Sequence, residues 1–575
     1  MAPDLVELGK ASLAQIGLIA NLYFWKTTDY FDGPSDEKPL LHTWSLAVEE
    51  QFYLAYPILL AGLFRFRFVR RESLRSPLGL LALASFLLSL WSCHGHQTAT
   101  FYLLPTRAWE ILLGGLFAVC PFPASLPRSY AAVASRSSLP LMLAPMWIYD
   151  QKTHFPGVAA LPPCIGAGLF LWSAEAHLLQ QTPAPLTVRC LSLPLFTGIG
   201  RISYSLYLWH WPLFAYTHYW ALSEPSAATR VLIIFASFVL AFLSWRFVES
   251  PFRHPTHAAG NFSALASAGG SALLLSILAL GLVYTDGVPQ RFSESVKRCI
   301  ATHSEKHPSN RPSHRTSLAD ARSGKFPVFG VPNTEPPALF VWGDSHARCV
   351  LPVVDRLARQ HGLAAASAWY SSTPPVLDYL PTDSYSLGRE APVWNQTILE
   401  HIAVHRIGNV LLVAKWNGYI SGDPSETEAF LGKLEQTVSA IRQVGAVPWI
   451  VAQVPAHDAP VPKLILHNLV HHTDISPYVS TLQRHLEISH PLRSRKSRLE
   501  RLGAKFVDPS YLFAIPASDR YAIELNGNPL YFDEHHLTRA GAARLTPVLT
   551  EVFLRAESGN RSKTKLSTVG LPPLP

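Results

Sequence analysis

Val341-Trp342-Gly343-Asp344-Ser345-His346 follows an apolar run, Ala338-Leu339-Phe340, and together they read as a short buried strand ending in a glycine turn. A serine there sits at the tip of a strand, exposed and able to act as a nucleophile. Far downstream comes Asp533-Glu534-His535-His536-Leu537-Thr538, where an aspartate stands three positions before a histidine. A serine hydroxyl is a weak nucleophile until an imidazole takes its proton, and the imidazole needs a carboxylate to fix its tautomer and steady its charge. Ser345, His536 and Asp533 supply the three groups, with His535 as the rival base. Singly, each cluster is a weak signal, because Gly-Asp-Ser is a common turn composition and Asp-x-x-His arises by chance.

Around this stretch, residues 339–342, 364–369, 410–413, 449–452 and 505–507 read as short strands, and 350–360 and 426–444 as helices between them. Such alternation implies a parallel sheet covered on both faces, with the chemistry at the carboxyl ends of the strands. In this order, at the two ends of one α/β region, the two clusters resemble the SGNH hydrolase family. The resemblance implies a three-layer α/β fold over residues 337–556 and favours His536 over His535, since the family sets its aspartate three before the histidine. It also implies an oxyanion hole, with the Ser345 backbone N–H and the Asn417 side chain as donors. Ser371-Ser372-Thr373-Pro374-Pro375 stands where the family's second block belongs, and Leu412-Val413-Ala414-Lys415-Trp416-Asn417 where its third does. Trp416 is read either as a sugar-stacking residue or as core.

The chain has 575 residues, 48% hydrophobic and 15% charged, an apolar balance for a soluble enzyme. The apolar residues gather in residues 1–286, in blocks near the length of a bilayer span, while 287–575 hold most of the charge. This is a membrane half followed by a soluble half. The net charge of +8 falls in loops between apolar blocks and in the tail. With no basic stripe interleaved with aromatics, nucleic-acid binding is not expected. Six cysteines lack paired C-x-x-C spacing, so no metal site is expected, and Cys299 and Cys349 are candidates to pair in an oxidising compartment.

About nine spans are expected, near residues 11–25, 47–64, 78–94, 108–121, 138–149, 157–174, 203–220, 229–246 and 263–284. Arginines 65, 67, 70, 71 and 75 place their loop in the cytoplasm by the positive-inside rule. Alternation from there puts the Ser345 region outside.

The stretch Leu41-His42-Thr43-Trp44-Ser45-Leu46-Ala47-Val48-Glu49-Glu50-Gln51-Phe52 carries His42, Glu49 and Glu50 into a span. Ionisable groups at that depth are costly and usually functional. Arg107 and Glu110 form an i,i+3 charged pair at the start of another span, and Tyr207-Leu208-Trp209-His210-Trp211-Pro212 buries His210 among aromatics. With Ser244-Trp245-Arg246-Phe247-Val248-Glu249-Ser250-Pro251, these stretches resemble the membrane acyltransferase family 3 over residues 1–285. The SGNH-like region matches the fused architecture of O-antigen acetyltransferases in that family.

The resemblance implies a multi-span α-helical membrane domain (1–286) and the SGNH-like domain (337–556), while polar composition without apolar periodicity reads 287–336 as an extracytoplasmic linker and 557–575 as a disordered tail. It implies a protein of the bacterial inner membrane, with membrane lipid and a surface glycan acceptor as partners. No bound cofactor is expected, and acyl-CoA, acetyl-CoA above all, is the implied donor. The family's usual opening, with an Arg-x-x-Arg pair, does not precede His42, so the chain reads as truncated at its N-terminus. The leading expectation is an O-acetyltransferase of a cell-surface polysaccharide or lipopolysaccharide. An extracytoplasmic carbohydrate esterase and an inactive membrane scaffold are the alternatives.

Overall fold

The computed structural model describes residues 2–568 except 28–34, 66–73, 94, 121–126, 151–152, 180, 182, 254–260, 305–314, 332–335, 384 and 421. The chain divides into two compact units, Met1–Pro289 and Gln290–Pro575.

The first unit is helical. Among the described residues four helical stretches are long and apolar enough to cross a membrane, Arg75–Cys93, Gly157–Leu179, Ala227–Arg253 and Leu265–Tyr284. Their apolar side chains are largely exposed, as in Leu80, Trp91, Leu171, Phe235 and Leu274, which suits a lipid rather than an aqueous surroundings. Nine spans were expected, and helices occur at each of the nine places. The difference is one of length and polarity. The first expected span is split into Ala2–Ile16 and Ala20–Thr27 around Leu18, whose φ of 57° breaks the helix. Leu104–Val119 and Arg128–Leu143 have 16 residues each, short for a span, while Trp44–Arg65 and Pro194–Trp220 are longer but carry ionisable side chains. Most of the arginine-rich loop used to orient the chain lies outside the described residues.

The second unit is an α/β domain around a six-stranded sheet: β1 (Val328–Gly330), β2 (Leu339–Gly343), β3 (Ala364–Trp369), β4 (Asn409–Val413), β5 (Val447–Val451) and β6 (Lys505–Val507). The strand order is β1-β3-β2-β4-β5-β6; all neighbours are parallel except β1, which pairs antiparallel with β3. Every residue of β2 and β3 is buried, as expected where helices cover both faces. On one face Phe340 and Trp342 meet Trp394, Ile398 and Ile402 of the Ala391–Val404 helix and Leu434 and Val438 of Pro424–Gln443. The Ser345–Gln360 and Thr546–Thr568 helices pack together as the other layer.

Three expectations are corrected by this unit. A tether was expected over 287–336, yet its described part contributes structure. Helix Glu294–Ser304 packs on helix Val461–His471, Ser317 caps Leu318–Arg322 through a capping box with Asp320, and β1 joins the sheet edge. The capped helix and the strand are shorter than the windows in which periodicity shows. The tail expected to be disordered from 557 continues the last helix to Thr568. Cys299 and Cys349 do not pair: both are free and buried, and their thiols bond the carbonyl oxygens of Pro462 and Ser345. Burial pushes both thiols up to about 12, so neither is a ready thiolate.

Candidate active site

β2 ends at Gly343, which lies in register with Trp369 of β3 and Val413 of β4. A Cβ there would stand 1.8 Å from the Val413 carbonyl oxygen, so the central strands close up only around glycine. The chain then turns through Asp344, whose Oδ1 accepts the N–H of His346 at 2.8 Å and caps the helix. That helix begins at Ser345 rather than near residue 350, because the aspartate of Gly-Asp-Ser is its N-cap. Asp344 is 1% exposed, and its Oδ2 accepts the Lys415 N–H at 2.8 Å and the Tyr419 hydroxyl at 2.9 Å. Burial raises its carboxyl pKa against the pull of these donors. One carboxylate thus ties the start of the helix to the segment after β4.

The second cluster explains its own spacing. Asp533 Oδ1 accepts the backbone N–H of His535 at 2.9 Å and of His536 at 2.7 Å, a local turn held by the carboxylate. Its other oxygen, Oδ2, lies 2.5 Å from His536 Nδ1, and His536 Nε2 lies 2.7 Å from Ser345 Oγ. Ser345, His536 and Asp533 therefore form a continuous hydrogen-bonded chain from hydroxyl to imidazole to carboxylate. Phe532 stacks on the His536 ring with centroids 5.1 Å apart. Burial would push the Asp533 carboxyl up, but the neighbouring His536 and His535, with the hydrogen bonds from His536, hold it well below the usual carboxylate range. The orienting group is ionised, as the base requires.

His535, the rival base, is engaged elsewhere. Its Nε2 lies 2.9 Å from Lys415 Nζ and its Nδ1 3.1 Å from His346 Nε2. An ammonium can only donate, so the Lys415 contact places the His535 proton on Nδ1, which donates to His346. Burial, above all, lowers the pKa of both imidazoles, that of His535 to about 3. The ring nitrogens of His346, His535 and His536 also lie within 4.8 Å of one another, a grouping of metal-ligating type. Lys415 works against a cation there: it directs a proton onto the nitrogen of His535 that faces His346, and it adds a positive charge.

Acyl chemistry also needs donors for an oxyanion. Ser345 is the first residue of a helix of 16 residues, whose N-terminal dipole favours negative charge. Asn417 lies half-buried after β4, and its backbone N–H donates to Gln453 at 3.0 Å. Trp416 belongs to the core: it is fully buried, and its indole N–H donates to the Val451 carbonyl at 2.7 Å. In the segment after β3, the Tyr370 N–H donates to the Gly343 carbonyl at 3.2 Å, and the Ser371 hydroxyl is buried without a partner among the described residues. Asp344, His346, Lys415 and Tyr419 were not singled out in the sequence as site residues. Only for Asp344 was there a local signal, an Asx residue just before a helix.

In the first unit His42 is 8% exposed, and neither ring nitrogen has a hydrogen-bond partner among the described residues. Tyr207 donates to the His42 carbonyl and its ring lies 5.1 Å away. His210, expected to be buried, is exposed, with its ring 5.8 Å from His42. Glu49 and Glu50 are also exposed, further along the helix that starts at Trp44. Arg107 and Glu110 make the expected pair at 2.9 Å, and the guanidinium lies over Trp44, Phe101 and Phe155 at 5.3, 5.6 and 5.3 Å.

A consequence for stability follows from the second unit's histidines. His346 and His535, with His457 (about 3) and His485 (about 4), are held neutral first of all by burial. On unfolding each regains an ordinary pKa near 6.5, so the unfolded chain binds more protons and acid favours it. Stability from these groups is complete above about pH 6.5 and lost as pH falls towards 4. The apparent Tm of this unit, followed by tryptophan fluorescence, should fall steadily over that window. A flat Tm between pH 6.5 and 4.5 would contradict the buried neutral imidazoles.

Residues 298–551 match the family model described as an SGNH domain fused to AT3 domains, and residues 11–246 match the acyltransferase domain model. The chain is 26% identical over 268 residues to O-acetyltransferase OatA of Staphylococcus aureus (strain NCTC 8325 / PS 47), covering 44% of this chain and 42% of that protein. It is 28% identical over 273 residues to a second protein, of S. aureus strain COL, that also bears an O-acetyltransferase name, with the same coverage of 44% and 42%. The matched region thus spans less than half the length of these curated relatives. Among solved structures, the periplasmic domain of the Salmonella ser. Paratyphi A lipopolysaccharide acetyltransferase is 16% identical, covers 46% of this chain and 99% of that chain, and gives a TM-score of 0.36. One family model thus lies on each unit, an acyltransferase domain on the first and, on the second, an SGNH domain of the kind fused to AT3 domains.

Proposed function

We propose that this protein is an O-acetyltransferase of a bacterial cell-surface polysaccharide or lipopolysaccharide, anchored in the inner membrane with the second unit on the extracytoplasmic side. The observation that carries the reading is the assembled chain from Ser345 Oγ through His536 to Asp533. The curated relatives named as O-acetyltransferases support the acyl group and the transfer. In the first half-reaction His536 Nε2 takes the Ser345 proton as Oγ bonds to the acyl carbonyl carbon. The charged tetrahedral intermediate is held at the helix N-terminus, with Asn417 as the second donor. The donor bond breaks, the leaving group takes the proton from His536, and an ester on Ser345 remains. A sugar hydroxyl then loses its proton to His536 and attacks that ester, and Ser345 leaves with the proton restored.

The first unit would supply the acyl group, with acyl-CoA as the donor. His42, buried and with neither ring nitrogen hydrogen-bonded among the described residues, and the aromatic-caged Arg107–Glu110 pair are the groups in that unit suited to handle it.

Trapping tests the covalent step. The full chain in detergent, treated with p-nitrophenyl acetate and quenched in acid, should carry one acetyl group on the peptide containing Ser345. Added oligosaccharide should discharge it as acetylated sugar. Release as free acetate alone, at every acceptor concentration, would turn the reading into that of an esterase.

A further inference from the structure

Lys415 places a positive charge at the catalytic histidines whose partner is not an acid. Its backbone N–H is fixed by Asp344 Oδ2 and its Nζ by His535 Nε2, so the ammonium is held at both ends of the residue. That bond uses one of its three N–H donors. The side chain is half-buried, which leaves the ammonium within reach of a molecule entering the site. Several cations of this unit pair with carboxylates, Arg359 with Asp355, Arg484 with Asp458, Arg493 with Asp508, and Arg495 and Arg498 with Glu435, while Lys433, Arg442 and Arg544 bond backbone carbonyl oxygens. Among the described residues Lys415 makes no ion pair. Of the acids nearest the cluster, Asp533 is committed to His536, Asp344 to the Lys415 backbone N–H and the Tyr419 hydroxyl, and Glu534, its carboxyl pushed up first by burial, feels the Lys415 charge without forming an ion pair with it.

A fixed, half-buried cation that makes no direct ion pair among the described residues, one histidine away from the base, has donors free for an anion from outside the chain. Resting on the acyltransferase reading, we propose that Lys415 is a specificity-determining residue that binds an anionic group of the acceptor, so that the acceptor glycan is acidic. Carboxylate and phosphate share the required chemistry, an oxygen anion that accepts the remaining Lys415 N–H donors.

The test is a preference ratio rather than a rate. The full chain in detergent, with p-nitrophenyl acetate as donor, is offered three oligosaccharides of equal length: neutral, carboxylate-bearing and phosphate-bearing. Wild type should favour at least one acidic acceptor over the neutral one by about tenfold or more in kcat/KM, the factor that one charge-assisted hydrogen bond supplies. The preference should reside in KM and weaken with added salt. Lys415→Met should bring the ratio to near one, and Lys415→Arg should retain it. The two acidic arms identify which anion is used. Inorganic phosphate should inhibit ester hydrolysis competitively in wild type and several-fold less in Lys415→Met, a readout that needs no transfer at all.

Transfer that is indifferent to acceptor charge, or a ratio unchanged in Lys415→Met, would overturn the proposal and leave the acyltransferase reading intact. Absence of transfer to every acceptor, with Lys415-dependent phosphate inhibition preserved, would instead overturn that reading and keep the anion site.

Discussion

Ser345→Ala is expected to lower ester turnover by the full chain by about four orders of magnitude or more, with residual activity left to the site's donors and binding alone. In the proposed reaction the hydroxyl is the atom to which the acyl carbon bonds, and no other described side chain is placed to replace it. His346 is turned to His535, and the Cys349 thiol donates to the Ser345 carbonyl while burial holds it protonated. His536→Ala should cost a similar factor, and the double variant little more than either single one, because the two residues act as a unit. Purified variants with unchanged thermal unfolding, assayed on p-nitrophenyl acetate, supply the comparison. If Ser345→Ala keeps a tenth of wild-type turnover, the nucleophile is another group.

Asp533→Asn is expected to lower turnover by about 10⁴-fold while leaving the fold in place. The carboxylate has two tasks, one per oxygen. Oδ1 holds the turn through the N–H groups of His535 and His536, and an amide oxygen can continue to do so. Oδ2 accepts from His536 Nδ1 and so keeps Nε2 unprotonated and facing Ser345. An amide N–H₂ at that place would reverse the proton arrangement, leaving Nε2 protonated and useless as a base. Asp533→Ala should lose turnover and stability together, since the turn goes too. The contrast between the two variants, in turnover and in Tm, separates the catalytic task from the structural one. Equal Tm losses in both would show that the backbone contacts need the charge.

The acidic-acceptor preference assigned to Lys415 shares this geometry. His535 lies 3.9 Å from Asp533 Oδ1 and could compete for it if charged. Burial and the Lys415 ammonium on Nε2 disfavour that charge, and the proton on Nδ1, the nitrogen nearest Asp533, is donated to His346 instead. Two adjacent histidines are thereby given different roles by their partners across the sheet.

The amino-acid sequence alone settled the features that are encoded locally. A buried strand ending at Gly343, a serine after it, and an aspartate three residues before a histidine are short-range patterns, and each fixes its own geometry through neighbouring backbone atoms. The division into an apolar first part and a charged second part is likewise compositional and coincides with the two compact units. Tertiary structure decided what depends on partners distant in the chain. It brought His536, already favoured by its spacing from Asp533, against Ser345 and turned His535 to Lys415, partners each more than a hundred residues away. Trp416 went to the core because Val451 of the neighbouring strand accepts its N–H, and Cys299 and Cys349 remained apart because packing seats each against a different carbonyl. It drew β1 from an apparent tether, because an edge strand of three residues is defined by β3 beside it and not by any periodicity of its own. Local backbone bonding is written in adjacent residues, whereas competition between equivalent side chains is resolved only by what the fold brings against them.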